Sequence, residues 1–260
     1  MKTTVSKNTA GEEIVIQEVQ EGQVSCYIVG KTPLISNRLA EKAKWELLLP
    51  KGKKTASDRA SNLKHDPVAE FRASAYRMPD KAETLLGFPA LCIKRAISAA
   101  ALDLPGASKS QIGRLTYVTG ETLCVYGTPK LFMRPTRSSD MNRTPDIRTR
   151  CIIPEWAIKV EINFVKPVLS ATTVLNLLSA AGLYNGLGDW RQQKGSANYG
   201  QFQILPLKDE KTIASILKQG FDVQKKAMDA AEAYDDESEE LLAWFKSEVK
   251  NRGKSDLLAA

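Results

Sequence analysis

The stretch IIPEWAIKVEINFV (residues 152–165) decides the fold class, because apolar and polar side chains alternate along it. The apolar positions fall at every second residue: Trp156, Ile158, Val160, Ile162 and Phe164. A period of two places these side chains on one face of a strand and the residues between them on the other. We therefore predict a half-buried β-strand in a sheet with one covered face.

Helices and strands are predicted on both sides of this stretch. Downstream, Ser170 is placed to cap the helix SATTVLNLLSAAG, which Gly182 ends, and residues 199–207 have the composition of a final strand. Upstream, residues 23–30 predict a strand, and residues 87–106 predict a helix with an apolar face.

Residues 122–127 and 130–135 predict a pair of short strands. With the inserted segments set aside, the order is strand, helix, strand, strand, helix, strand, which is the order of the ferredoxin-like fold. We expect an α+β chain: a ferredoxin-like, RNA-recognition-motif-like palm. Two helices would cover one face of its sheet, and the other face would be free to meet a ligand.

Composition divides the chain into three parts. We expect an N-terminal polar arm and first strand at 1–22, the palm at 23–207, and C-terminal helices at 208–260. The palm carries a helical insert at 38–85, in which Asp66 and Pro67 begin a short helix. It also carries a projecting basic hairpin, similar to a thumb, at 134–150.

Charge is distributed unevenly over the 260 residues. The net charge is +7, yet the part from Lys208 onward has 9 basic and 12 acidic side chains, so the rest carries +10. A basic body favours a polyanionic partner, most often a nucleic acid. We expect the acidic tail to pack on a neighbouring copy or to screen the binding groove. No apolar run approaches the ~18 residues of a membrane span, and no signal peptide is evident, so we expect a cytoplasmic protein without a membrane partner.

The stretch GLGDWRQQKGSANYGQF (186–202) places four glycines among cationic and aromatic residues. Glycines allow close backbone approach to a cofactor, to a nucleic-acid strand or to the chain itself. A dinucleotide-binding loop needs a third glycine at Arg191 and a helix after it, and a strand follows here. The loop VGKTP (29–33) has Ser25 where a phosphate-binding loop has its first glycine. A nucleic-acid strand is therefore the favoured ligand.

Catalytic and metal-binding sets are not evident in the sequence. His65 is the sole histidine, and the four cysteines are far apart without a CxxC pair. We therefore expect no catalytic residue, no metal and no cofactor. The alternative is a metal-independent ribonuclease in which His65 is the general base.

The glycine pattern of Gly186, Gly188, Gly195 and Gly200 before a last strand resembles the signature of the RAMP (repeat-associated mysterious protein) superfamily. Within it, the layout is most similar to the backbone subunit of CRISPR effector complexes. That resemblance implies a palm with a helical insert and a thumb, helical homo-oligomers along a guide RNA, and further ribonucleoprotein subunits as partners. A phage or mobile-element relative that coats single strands, aids recombination, or mimics and inhibits such a complex stays an alternative.

The resulting expectation is a non-catalytic protein that binds single-stranded RNA or DNA. Arginine suits bidentate phosphate contact, and aromatic rings stack on bases. The residues expected to bind the strand are Arg38, Lys42, Lys44, Arg134, Arg137, Arg143, Arg148, Arg150, Trp190, Arg191, Lys194 and Tyr199.

Overall fold

The computed structural model describes residues 4–7, 13–16, 18–39, 44, 48, 65–106, 108–137, 145–194 and 197–251. Its strands are β1 (Thr4–Lys7), β2 (Glu13–Ile16), β3 (Gln20–Gly30), β4 (Leu34–Ser36), β5 (Gly87–Pro89), β6 (Thr116–Val118), β7 (Thr122–Tyr126), β8 (Lys130–Arg137), β9 (Pro145–Ile153), β10 (Ala157–Lys166) and β11 (Phe202–Pro206). Its α-helices are α1 (Pro67–Ser74), α2 (Ala90–Ala100), α3 (Lys109–Leu115), α4 (Ala171–Ala180), α5 (Ala214–Leu217), α6 (Phe221–Asp229) and α7 (Asp236–Asn251).

The larger sheet has the order β11-β3-β10-β7-β5, and β6 pairs with the same edge of β10 as β7. All of these pairings are antiparallel. The alternation predicted for β10 is confirmed, because Trp156 just before the strand and Ile158, Val160, Ile162 and Phe164 within it are all buried. The mixed α and β architecture agrees with the predicted class.

Helices α2 and α4 cover one face of this sheet. Their apolar side chains, among them Ile93, Ile97 and Leu178, join those of β3 and β10 in one core. Ser170 caps α4 as predicted, with its hydroxyl accepting from the Thr173 amide at 3.1 Å. The predicted end at Gly182 is wrong, because a π-helical turn (Ala181–Asn185) continues α4 until Gly186, which has a φ of 67°.

The opposite face of the sheet is partly covered, which corrects the expectation that it is free. A 3₁₀ helix (Leu207–Ile213) and α5 pack there, and Ile213 lies in one cluster with Tyr27, Val29 and Ala157. The burial pattern of β3 explains this, since its residues Cys26 to Val29 are buried without alternation.

A second sheet has the order β4-β9-β8, and it corrects two predictions. The stretch 152–165 is not one strand, because β9 ends at Ile153 and β10 begins at Ala157 in the other sheet. Strands β7 and β8 do not pair with each other, since β7 joins β5 and β10 whereas β8 joins β9. Pro154 explains the first break, because proline cannot donate to a strand ladder.

The segments outside the sheets are tied to them. Asp66 caps α1 as predicted, accepting from the Ala69 amide at 3.0 Å, and α1 packs against β9. Thr4–Lys7 pairs with Glu13–Ile16, whereas the sequence predicted a polar arm and a single strand within residues 1–22. Between positions 40 and 64 of the predicted helical insert, only Lys44 and Leu48 are among the described residues, and both are helical and exposed.

The C-terminal part of the chain lies against the rest of the molecule. Met228 of α6 and Leu242 of α7 belong to the main core. Gln224 of α6 is fully buried and accepts from the backbone amides of Leu85 and Leu86 at 2.9 Å each. Helix α7 packs on β8, where the Ser238 hydroxyl accepts from the Met133 amide at 3.0 Å.

Candidate nucleic-acid interface

An open cleft of about 1340 Å³ lies beside the second sheet. Three walls surround it: helices α2 and α3, the hairpin formed by β8 and β9, and the segment from Gly186 to Lys194, hereafter the glycine segment. The cleft exceeds the roughly 300–1,000 Å³ of pockets for drug-sized ligands. Its size and open shape suit a polymer better than a small metabolite.

The cleft is strongly cationic. Among the described residues that line it, one side chain is anionic, that of Asp189. The cationic ones number eight: Lys94, Arg95, Lys109, Arg137, Arg148, Arg150, Arg191 and Lys194. Field lines from like charges in a concave site add together, which raises the local concentration of a polyanion.

The hairpin wall places three predicted arginines at the cleft. Arg137 and Arg148 are exposed, whereas Arg150 is only 19% exposed. Burial lowers the pKa of the Arg150 guanidinium, and Asp189, 3.6 Å away, opposes that shift. Nη1 of Arg150 donates to the Thr149 carbonyl at 2.9 Å, while its buried Nε has no hydrogen-bond partner in the described structure. Arg150 is therefore a fixed cation at the base of this wall.

The glycine segment approaches its own chain. The Asp189 amide donates to the Ile35 carbonyl at 2.9 Å, and the Gly200 amide donates to the Pro33 carbonyl at 2.8 Å. Gly188 has a φ of 81°, and a Cβ on it would collide with the Ile35 carbonyl oxygen. The glycines are thus required for a turn against β4, and this turn carries Arg191 and Lys194 into the cleft wall.

The helical wall supplies three cations that sequence reasoning missed. Lys94 and Arg95 are the charged residues of α2, and Lys109 begins α3. Within α2, Lys94 is half-buried and Arg95 is exposed, whereas Ile93 and Ile97 are buried. A signal was present, since both charges of an otherwise apolar helix are positive, but two charges on the outer face of a helix are also ordinary solvent contacts.

The two predicted stacking residues pack within the protein. The Phe132 ring makes edge contacts with Trp190 at 5.6 Å and with Tyr199 at 5.9 Å between centroids. Burial raises the pKa of the Tyr199 hydroxyl, and Tyr199 does not line the cleft. Trp190 does line it, in a left-handed backbone conformation with a φ of 51°. Tyr199 therefore supports the glycine segment from outside the cleft, whereas Trp190 packs on Phe132 and also lines the cleft.

Arg134 lies outside the cleft lining. Its guanidinium binds Asp235 through two hydrogen bonds of 3.1 and 2.5 Å and contacts the Glu237 carboxylate at 2.7 Å. It also lies 4.8 Å from the centroid of the Phe132 ring. Two acidic residues of the C-terminal segment therefore bind the same chain, although we expected this segment to pack on a neighbour or to screen the groove.

The remaining predicted residues are dispersed. The Arg38 side chain is half-buried next to the cleft residue Asn37, and its backbone amide donates to the Ser74 carbonyl at 2.8 Å. Lys44 is exposed and does not line the cleft. Lys42, Arg143 and Gly195 lie outside the described residues.

His65, the candidate general base, is held between two carboxylates. Its Nδ1 lies 2.8 Å from Oε1 of Glu70, and its Nε2 lies 3.0 Å from Oδ1 of Asp146. Both ring nitrogens therefore face acceptors of the same chain, and His65 does not line the cleft. This arrangement joins α1 to β9.

The described part of the chain has neither a metal-binding cluster nor a membrane-spanning helix. It contains no group of three histidine, cysteine, aspartate or glutamate residues arranged to hold a metal ion. None of the helices described here is long and apolar enough to cross a membrane.

Similarity to known proteins is found among solved structures. No protein-family model matches the chain, and no curated protein sequence matches it. The chain is similar to one in the cryo-EM structure of the Type III-B Cmr-beta bound to cognate target RNA, with a TM-score of 0.37 and 12% identity. The match covers 72% of this chain and 61% of the other. Because this similarity is low, the function proposed below rests on the geometry of the cleft.

Proposed function

We propose that this protein binds single-stranded nucleic acid in the cationic cleft without cleaving it. The observation that carries the proposal is the convergence of eight cationic side chains and one anionic side chain on a single cleft of about 1340 Å³. Those cations come from three separate parts of the chain: 94–109, 137–150 and 191–194. Bringing so many like charges together is unfavourable unless a polyanion neutralises them.

A RAMP-like, ferredoxin-like palm is part of the same proposal. Strands β11, β3 and β10 lie side by side with β6 on the far edge of β10, and α2 and α4 lie on one face. In chain order, β3, β6, β10 and β11 would be the first to fourth strands of that fold. Their order across the sheet would then be fourth, first, third, second, that is β11-β3-β10-β6. The cleft lies outside the sheet, between α2 and the hairpin of β8 and β9.

The first experiment is a salt titration of binding. Fluorescence anisotropy would follow labelled single-stranded RNA and DNA of one sequence from 50 to 300 mM salt, both strand types being tested in parallel. Each phosphate neutralised on a single strand contributes about 0.7 to the slope of log K against log salt, so five contacts predict a slope of about −3.5. No binding to either strand at 50 mM salt would overturn the proposal.

The location of the site is tested with a matched pair of variants. Arg148→Ala removes an exposed cleft cation and should make the slope less negative by about 0.7. Lys159→Ala removes an exposed cation of β10 outside the cleft lining and should leave the slope unchanged. Equal effects of the two substitutions would contradict binding in the cleft.

Two further parts of the proposal have their own measurements. A strand incubated with the protein in chelator should keep its length on a denaturing gel. If it is shortened, and His65→Ala abolishes the shortening, the protein is the alternative metal-independent ribonuclease.

Assembly along the strand is proposed from the family resemblance. Mass photometry with longer oligonucleotides should then show steps of 28.6 kDa, the mass of one chain. A constant mass would contradict assembly.

A further inference from the structure

The cleft combines its charge with an apolar patch made of Tyr76, Phe88, Leu91 and Cys92. We propose that this patch is a base-binding subsite, so that the ligand is a strand with an unpaired base lying on Leu91 and Tyr76. The inference rests on the proposed function, and it moves base contact away from Trp190 and Tyr199.

Leu91 is the first observation that carries the subsite. Its side chain is 52% exposed, although it belongs to the most apolar part of α2. It precedes Arg95 by one helical turn, so the two side chains share a face of the helix. Water does not stabilise the exposed side chain of a leucine, whereas contact with the face of a nucleobase would bury its apolar surface.

Tyr76 provides the aromatic part of the patch. Its half-buried ring packs edge-on against the buried ring of Phe88, with centroids 6.4 Å apart and planes at 73°. A ring fixed in this way loses little side-chain entropy when a base stacks on it. Tyr76 therefore has the pre-organisation that stacking requires.

The charges around Cys92 locate the patch between two walls of the cleft. Burial raises the pKa of the Cys92 thiol, and the guanidiniums of Arg95 and Arg191 both oppose that rise. Arg95 belongs to the helical wall and Arg191 to the glycine segment, so both walls act on one point. A nucleotide on the patch would therefore lie in the same cleft as cations of both walls, which suit its flanking phosphates.

This combination favours a single strand over a duplex. Phosphates alone require cations but no apolar surface, and in a duplex the base faces are covered by stacking on their neighbours. Stacking on a protein side chain is sequence-tolerant because every base has an aromatic face. We therefore expect the subsite to accept any base and to reject a nucleotide that lacks one.

The decisive experiment compares oligonucleotides with and without bases. The wild-type protein should bind a single-stranded oligodeoxythymidine about tenfold more tightly than an abasic strand of equal length and charge. Leu91→Ser should bring this ratio close to one while the salt slope is kept, because no cation is lost. Leu102→Ser, at a 64% exposed leucine outside the cleft lining, is the matched control and should keep the ratio.

Thiol labelling gives a second measurement that needs no substitution. Cys92 and Cys124 are both half-buried, whereas Cys26 and Cys151 are buried. A bound base should slow the maleimide modification of Cys92 and leave that of Cys124, outside the cleft lining, unchanged.

The outcomes of the oligonucleotide comparison separate the two proposals. Equal binding of the oligodeoxythymidine and the abasic strand with a retained salt slope would overturn the subsite but not the proposed function. No binding of either would overturn the proposed function itself.

Discussion

Arg134 and Arg148 lie directly opposite each other in the register of β8 and β9, yet their surroundings differ completely. Arg134 is 25% exposed and binds the carboxylates of Asp235 and Glu237. Arg148 is 45% exposed at the cleft, and its nearest carboxylate, that of Asp146, is 3.6 Å away. The comparison teaches that a run of arginines is not one functional unit. Partners supplied by distant segments decide which of them are available to a ligand.

The largest effect should come from reversing the charge of arginines at the cleft, where Arg148 lies. Arg137→Glu combined with Arg148→Glu removes two of the proposed phosphate contacts and adds two repulsive charges. We expect strand affinity to fall by about two to three orders of magnitude, measured by anisotropy at 100 mM salt.

The control for charge reversal changes the net charge equally. Lys159→Glu combined with Lys225→Glu alters two exposed lysines outside the cleft lining, and a loss below about tenfold is expected. If this pair weakened binding as much as the cleft pair, the overall charge rather than the cleft would explain affinity.

Sequence reasoning predicted much of the framework because the signals were local. The alternation along β10 and the caps at Asp66 and Ser170 depend on neighbouring residues, and the structure confirms each. The hairpin of β8 and β9 was also expected from the position of residues 134–150.

What sequence reasoning missed depends on distant contacts. The partner of Arg134 is Asp235, 101 residues later, and no local pattern indicates that pairing. Strands β7 and β8 look like a hairpin, yet their partners lie in different sheets. Lys94 and Arg95 form part of a cationic cleft only because the glycine segment, far along the chain, lies across the cleft from α2.

The next effect concerns the turn that sets this opposite wall. Gly188→Ala places a Cβ against the Ile35 carbonyl at a φ of 81°, so we expect a loss of about 2–3 kcal/mol in the free energy of unfolding. Gly106 has almost the same φ, 80°, with nothing within 4 Å of an added Cβ. Gly106→Ala should therefore cost only about 1 kcal/mol, from the backbone conformation alone.

Urea unfolding of both glycine variants separates the effect of the collision with Ile35 from that of the positive φ. An equal loss in Gly106→Ala and Gly188→Ala would show that close packing on β4 contributes nothing. Strand affinity should fall in Gly188→Ala alone, because this turn positions Arg191 and Lys194.

A smaller effect is expected on the other side of the comparison. Arg134→Ala leaves the Asp235 carboxylate without its guanidinium partner, and we expect a loss of about 1–2 kcal/mol in the free energy of unfolding. Arg137→Ala, at an exposed position three residues later, should stay within about 0.5 kcal/mol. Strand binding should show the reverse pattern, with Arg137→Ala weakening it and Arg134→Ala leaving it unchanged. Weakened binding by stably folded Arg134→Ala would place Arg134 in the interface and break the comparison.

The smallest effect is a pH dependence of stability from Asp235. Burial alone would raise the pKa of this carboxyl, but hydrogen bonds from Ser238 and Arg134 outweigh it, so the pKa lies below its ordinary value. The unfolded chain has the ordinary aspartate pKa of about 3.9, so it binds this proton more tightly than the folded chain does. The stabilisation is fully present above that pH and is lost as the pH falls through the folded pKa. Solvent screening keeps the effect small, because the side chain is 27% exposed.

Urea unfolding from pH 6 to pH 2.5 measures this term against two variants. Asp235→Asn should have a flatter pH profile than the wild type, because the titrating carboxyl is gone. Asp236→Asn removes the next carboxyl along the chain and should keep the wild-type profile. If both variants kept that profile, the Arg134–Asp235 contact would carry no net charge interaction. The difference between Arg134 and Arg148 would then rest on the contact of Arg134 with Glu237 and on its packing against Phe132.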